Sequence, residues 1–402
     1  MTRELAVNHL PVLTWNKLNI NRAKLQIETG DGLNTGRLNR IAVYPEGISA
    51  RTVKSDELDR LINELDINNP SELVVAGKIP MYNEQRFATG MGAEIDKLLD
   101  ETDIDTELIV IDGSYRSEEP VYIGLTPGEE DISLYKSVIH AKKGSKASLV
   151  VGFESSSCNP ECTGIKEGCD PTAGRESGLA GASTRIIIEE GAELTVYRVQ
   201  LLNKGYTFFD DIGAVSDKNS SLNIVKLNLG AGRVFDGLNE LQRGTESAFN
   251  VDYGFLGLEG SLTDINYNDV FTGKRTNGVM RFFGALFEDA QKVFRGTLDF
   301  RAGSVKAVGD EQEDILLFGE DVVNKTIPLI LCEEEDVDGR HAATIGRLSE
   351  DMLFYMQTRG ISEEDAKRLM VKSSLKSISR KLPKGTLRDR TELRIKELLQ
   401  EN

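Results

Sequence analysis

The chain has 402 residues, 39% of them apolar, enough to bury a large core in one long domain or in two to three smaller ones. A formal net charge of −17 argues against nucleic acid as a partner, because phosphate binding needs a basic surface. The first residues lack the apolar run of a signal peptide and no stretch reaches the roughly 18 apolar residues of a membrane span, so the cytoplasm is the expected setting.

Residues 1–130 read as an α/β region. Apolar spacing predicts an amphipathic helix over 55–65 and a second over 90–99, and 107–113 reads as a buried strand and turn. Nothing in this region proposes chemistry, and His9 stands outside any motif.

From residue 131 to residue 341 the sequence repeats one theme, a small-residue turn followed by alternating apolar and polar positions, which is the strand signature. The turns at Gly144, Gly191, Asn219 and Gly244 lie 47, 28 and 25 residues apart, as if a unit of about 25 were doubled once. Repetition on that scale predicts stacked coils, and a parallel β-helix is the expected core, with a β-sandwich as the alternative.

The enlarged interval holds an insertion, residues 154–178, with three of the four cysteines: Cys158, Cys162 and Cys169. Free cysteine prefers the interior, whereas this polar stretch, bearing Gly and Pro, has little to bury. A reducing compartment and an odd count both disfavour disulfides, so the loop reads as a thiolate ligand set. The spacing suits three irons of a cubane [4Fe–4S] cluster with a fourth site left open. Structural zinc would show two paired half-sites and only one is present, although zinc or unliganded thiols remain alternatives. His140 has no motif around it. Cys332 ends an alternating apolar run and is expected to be a buried core thiol. The run Glu333–Asp336 offers hard oxygen ligands for ferrous iron, yet charge runs are more often solvated faces.

After His341 the pattern turns helical. Ser349, Ser362 with Asp365, and Thr386 with Asp389 are expected to cap three helices, the last with an apolar face of Leu393, Leu398 and Leu399. Residues 340–402 carry 14 Lys/Arg against 9 Asp/Glu, a basic end on an acidic body that suits docking. No Walker-type Gly-x4-Gly-Lys-Ser/Thr sequence occurs, so any ATP chemistry belongs to a partner.

The block Gly339-Arg340-His341-Ala342-Ala343-Thr344-Ile345-Gly346-Arg347-Leu348, then Leu353-Phe354-Tyr355 and Arg359-Gly360-Ile361-Ser362-Glu363-Glu364-Asp365-Ala366, resembles the SufB/SufD family of iron–sulfur assembly scaffolds. The likeness continues upstream through Gln291-Lys292-Val293-Phe294-Arg295-Gly296 and more weakly to about Lys136, and is strongest toward the short SufB-like subunits called SmsB. It implies a right-handed parallel β-helix closed by C-terminal helices, a SufC-like ABC ATPase bound through residues 342–402, and pairing through the end of the core. The pairing is expected to be a homodimer or a heterodimer with a paralogue, served by a cysteine desulfurase or another sulfur source. Where SufB has a glutamate after the histidine this chain has Ala342, and where SufD often has a cysteine it has Gly339.

The expected function is therefore a non-catalytic scaffold for iron–sulfur cluster assembly, with Cys158, Cys162 and Cys169 holding the nascent cluster and His341 as a secondary ligand. Two other readings stand beside it: a SufD-like interaction subunit without its own cluster, and a β-helix carbohydrate-active enzyme.

Overall fold

The computed structural model describes residues 2–12, 14, 18–28, 35–65, 87–102, 104–128, 130–155, 177–346 and 350–400. It is mainly β, 52% strand and 17% helix, and its centre is a parallel β-solenoid of about eight turns.

The N-terminal elements are a hairpin of β1 (Thr2–Val7) and β2 (Ala23–Glu28), short strands β3 (Thr35–Arg37), β4 (Asn39–Ala42) and β5 (Ile48–Val53), and helices α1 (Ser55–Glu64) and α2 (Ala93–Glu101). Both helices fall where apolar spacing places them. The solenoid then winds through β6 (Thr106–Ile111), β7 (Val121–Thr126), β8 (Ile132–Ala141), β9 (Lys146–Glu154), β10 (Ser177–Ile188), β11 (Glu193–Leu201), β12 (Gly205–Ser216) and β13 (Ser221–Asn228). It continues through β14 (Arg233–Gln242), β15 (Ala248–Gly257), β16 (Leu262–Phe271), β17 (Asn277–Leu286), β18 (Gln291–Phe300), β19 (Val308–Leu317), β20 (Val323–Cys332) and β21 (Asp338–Gly346). Three helices follow, α3 (Glu350–Gln357), α4 (Glu363–Ser379) and α5 (Thr386–Leu398).

Even-numbered strands β6 to β20 stack into one sheet and odd-numbered strands β7 to β21 into the other, all parallel along each stack. Strands β5 and β4 finish the two sheets in antiparallel pairing. Because side chains alternate, one face of every strand points into a shared lumen. That lumen is close-packed, with Phe271 stacked on its register partner Phe300 at 4.6 Å between ring centres and Phe282 against Phe294 at 4.4 Å.

The six coils from β8–β9 to β18–β19 each turn one corner on a left-handed residue: Gly144, Gly191, Asn219, Glu246, Arg275 and Lys306 all have positive φ. Their N–H groups reach to the next coil, Gly191 to the Lys218 carbonyl at 2.9 Å and Glu246 to that of Lys274 at 2.9 Å, forming a spine of bonds along the stack. Successive steps after Gly191 are 28, 27, 29 and 31 residues. This corrects the fourth turn, which pivots on Glu246 rather than Gly244, while the interval from Gly144 to Gly191 is a single coil step that carries the expected insertion.

Both outer faces are covered. On the even-strand sheet, Leu5, Val7, Leu25, Met91, Ile95 and Leu98 pack against Leu134, Leu179, Phe209 and Phe235. Buried polar contacts fix that layer: Arg295 bonds Asp264 and the Ile20 carbonyl, each at 2.6 Å, and Asn8 bonds Asp264 at 2.7 Å. On the odd-strand sheet, Val371, Leu375 and Ile378 of α4 and Leu387 and Ile395 of α5 cover Val150, Val199, Val225 and Leu227.

The Ser362 cap forms as expected, its Oγ accepting from the Asp365 N–H at 3.1 Å. Thr386 is instead the first helical residue of α5, preceded by Gly385 with no side-chain cap. Of the expected apolar face, Leu399 is buried and Leu398 packs beside it while Leu393 is exposed, because the buried stripe follows the four-residue step Leu387, Thr391, Ile395 and Leu399. Ser349 lies outside the described residues.

Candidate functional site

Every coil roofs the inward side chains of the one before it, except the last. Strands β20 and β21 therefore end the solenoid with an open lumen, and Ile330 and Ile345 remain exposed there. Register gives the inward set of this coil: Thr326 beside Phe294, Cys332 beside Phe300 and His341 beside Glu311. His341 is thus an exposed imidazole at the mouth, its position fixed by the Glu311–His341 pairing.

Just below the mouth lies a buried charged layer. Lys292 forms an ion pair with Glu313, and Thr326 bonds both, accepting from Lys292 at 2.9 Å and donating to Glu313 at 2.8 Å. Glu311 is 2% exposed, and its Oε2 has no hydrogen-bond partner among the described residues. Its carboxyl fills space that a Cβ at Gly296 would occupy. Burial, then the neighbouring Glu313 charge, raises Glu311 to about 8, so it is protonated at neutral pH. Burial lowers the Lys292 ammonium, which the Glu313 charge partly restores.

Cys332 departs from expectation. It is exposed rather than buried, since no further coil covers it, and its Sγ donates to the Glu334 carbonyl at 3.0 Å. The acidic run after it caps the turn: the Glu334 carboxylate accepts from the Gly303 and Glu335 N–H groups, each at 3.0 Å, which holds its pKa down. That use of Glu334 favours a structural role over iron capture.

Cys158, Cys162 and Cys169 lie outside the described residues, but the roots of their loop do not. It leaves β9 at Ser155 and returns at Ser177 on β10, so residues 155–176 replace what is, in other coils, a connection as short as 202–204 or 229–232. Ser155 Oγ accepts from the Asn203 N–H at 2.6 Å, and Glu154 pairs with Arg390 of α5 at 2.6 Å, so the root is tied to the next coil and to the C-terminal helices. From β10 to β20 there are five strand steps and from β9 to β21 six. At about 4.8 Å each, root and mouth are roughly 24 to 29 Å apart along the axis. The described residues contain no group of three or more His, Cys, Asp or Glu arranged to hold a metal.

His140 is buried and bonds Glu189 at 2.7 Å, and His9 bonds the Ala6 carbonyl at 3.1 Å; both serve packing. Lys292, Glu311, Glu313 and Thr326 belong to no chemical motif of the sequence; alternation marks only Lys292, which shares its strand phase with Phe294, Leu298 and Phe300.

Helix α3 buries none of its residues, and Phe354 and Tyr355 are 68% and 58% exposed, with Arg359 over the Tyr355 ring at 4.8 Å. No described helix is long and apolar enough to cross a membrane.

Comparison with known proteins places these features. Residues 125–374 match the profile of the domain described as "SUF system FeS cluster assembly, SufBD core domain". The chain is similar to the iron–sulfur cluster assembly protein SufD of Bacillus subtilis, 25% identical over 50% of this chain and 46% of that protein. SufBD family proteins of Staphylococcus saprophyticus (24% identical, 58% of this chain, 50% of the relative) and of Synechocystis (22% identical, 63% and 54%) are similar as well. The chain thus spans about half the length of the curated relatives it matches.

Proposed function

This chain belongs to the SufBD family, and from that membership we propose that it is a scaffold subunit on which iron–sulfur clusters are assembled with a SufC-like ABC ATPase. The observation that carries the proposal is the three-thiol insertion rooted in a coil of a SufBD core. In this reading Cys158, Cys162 and Cys169, as thiolates, bind the nascent cluster, which is cargo, and leave one iron site open for transfer. His341 receives or steadies the cluster at the mouth through a neutral ring nitrogen. With root and mouth about five strand steps apart, the two sets act at separate stations unless the loop or a second chain bridges them.

The partner chain meets the open mouth, as a homodimer or with a paralogue, because β20 and β21 are the last strands of their stacks and leave Ile330 and Ile345 exposed there. The ATPase docks on α3, none of whose residues is buried and whose Phe354 and Tyr355 rings are largely exposed. The setting is the cytoplasm, and sulfur comes from a desulfurase or another donor. We keep residues 1–130, 131–341 and 342–402 as the three functional parts.

Anaerobic reconstitution with iron and sulfide tests the assignment. The wild type is expected to bind a cluster, the triple Cys158→Ala, Cys162→Ala, Cys169→Ala variant to lose it, and His341→Ala to keep loading but slow transfer to an acceptor protein. Full loading of the triple variant refutes the role of the loop. A second reading, an interaction subunit without its own cluster, draws support from the likeness to the SufD of Bacillus subtilis. It predicts a wild-type chain that stays free of metal when isolated without oxygen in complex with its partners.

A further inference from the structure

The lumen carries charge at three levels. Arg198, Asp210, Lys226 and Asp236 form one satisfied set, with Arg198 to Asp210 at 2.6 Å and Lys226 to both carboxylates at 2.5 Å. Lys292 and Glu313 form another near the mouth. Between them stand Glu240 of β14 and Asp269 of β16, which are register partners on neighbouring strands and wholly buried.

Among the described residues no cation attends this pair, and the Asp269 oxygens accept only from Gln242 Nε2, at 2.9 and 3.1 Å, while Gln242 Oε1 in turn accepts from Ser247 at 3.3 Å. Neither Glu240 oxygen completes a hydrogen bond among the described residues, nor does the buried Ser216 Oγ on β12. Room for Asp269 exists because Gly278 of β17 has no Cβ, which would overlap its Oδ2.

The charged and titratable groups facing the lumen on the packed strands are few and engaged. Asp210 on β12, Lys226 on β13 and Asp236 on β14 bind one another, the Tyr253 hydroxyl of β15 and the Tyr267 hydroxyl of β16 bond Asp236 at 3.2 and 3.0 Å, and Lys292 on β18 is held by Glu313 of β19, beside protonated Glu311. Across the lumen β15 and β17 present Phe249, Val251 and Met280, all buried and apolar. Two carboxylates one strand spacing apart in so dry a space do not both ionise near neutrality.

We propose that Glu240 and Asp269 form a proton-holding acid pair that acts as a pH-set latch on the middle coils, closed while protonated and loosened as the pair ionises. Burial raises Glu240 from 4.5 to about 8, opposed only by the nearby Ser216 hydroxyl. Burial, reinforced by the Glu240 charge and opposed by the Gln242 amide, raises Asp269 well above its ordinary value. The sign follows. Between about pH 4.5 and about 8 the folded chain keeps a proton on Glu240 that the unfolded chain has released, so the contribution of Glu240 makes stability fall as pH rises through that window.

The test uses the full chain and reads the protonated-carboxyl carbonyl stretch by infrared spectroscopy at neutral pH, with amide hydrogen exchange in β14 and β16 followed against pH. The wild type is expected to show the band, and Glu240→Gln and Asp269→Asn each to lose part of it and to flatten the decline of stability with pH. Absence of the band from the wild type overturns the proposal, and that measurement needs no variant. An unchanged pH slope in both variants overturns it too, as does recovery of stability at alkaline pH on adding calcium or sodium chloride, which would make the pair a cation site.

Discussion

Replacing Phe354 by alanine separates docking from folding. The side chain is 68% exposed on a helix with no buried residue, so its loss removes almost no internal contact. A phenylalanine presents about 150–250 Å² for burial, leaving roughly 100–170 Å² in water here. At about 25 cal/mol/Å², complete coverage by a partner is worth about 2.5–4 kcal/mol. Partial coverage is the norm outside an interface centre, so a weakening of about 10- to 100-fold is expected. Calorimetric titration of the SufC-like ATPase into wild type and Phe354→Ala measures it, with thermal unfolding run in parallel and expected to agree within about 0.5 kcal/mol. Equal affinities for the two chains, with the fold intact, would refute the assignment of α3 as the docking element.

Two further predictions concern the solenoid itself. Lys292→Met strands Glu313 in the lumen and is expected to lower stability by about 3–5 kcal/mol in denaturant unfolding, while the double variant Lys292→Met, Glu313→Leu recovers most of that loss; a double variant as unstable as the single one contradicts the ion-pair account. Gly191→Ala places a Cβ in open space, with Gly144 Cα at 4.0 Å as its nearest neighbour, but at a φ of 68°, so its cost of about 1 kcal/mol is backbone alone, and Lys306→Gly at φ 62° is expected to change stability in the opposite direction.

The solenoid was readable because its cause is local. Alternation writes each strand into consecutive residues, and the turn glycines at 144 and 191 mark where the chain must adopt positive φ. The third and fourth pivots are asparagine and glutamate, and composition hides a left-handed glutamate, which is why Gly244 was taken for the turn at Glu246. The mouth was less legible. Cys332 follows an apolar run just as a core thiol would, and its exposure depends on β20 being the last strand of its stack, a property of the whole assembly. Glu311 and Glu313 stand on a strand whose other phase holds Asp310, Gln312 and Asp314, so which phase faces the lumen is settled by pairing with β17 and β21 rather than by the strand's own sequence.

The bonds that join one left-handed corner to the next make the coil a counting unit. Each repeat contacts little beyond its neighbours, so adding or removing one alters length without rewriting either end. The number of coils therefore works as a ruler, setting how far the root of the cysteine insertion, at Ser155 and Ser177, stands from the mouth in increments of about 4.8 Å. A chain shortened by one coil, from Asn219 to Thr245, would carry both features unchanged and differ only in the gap between them.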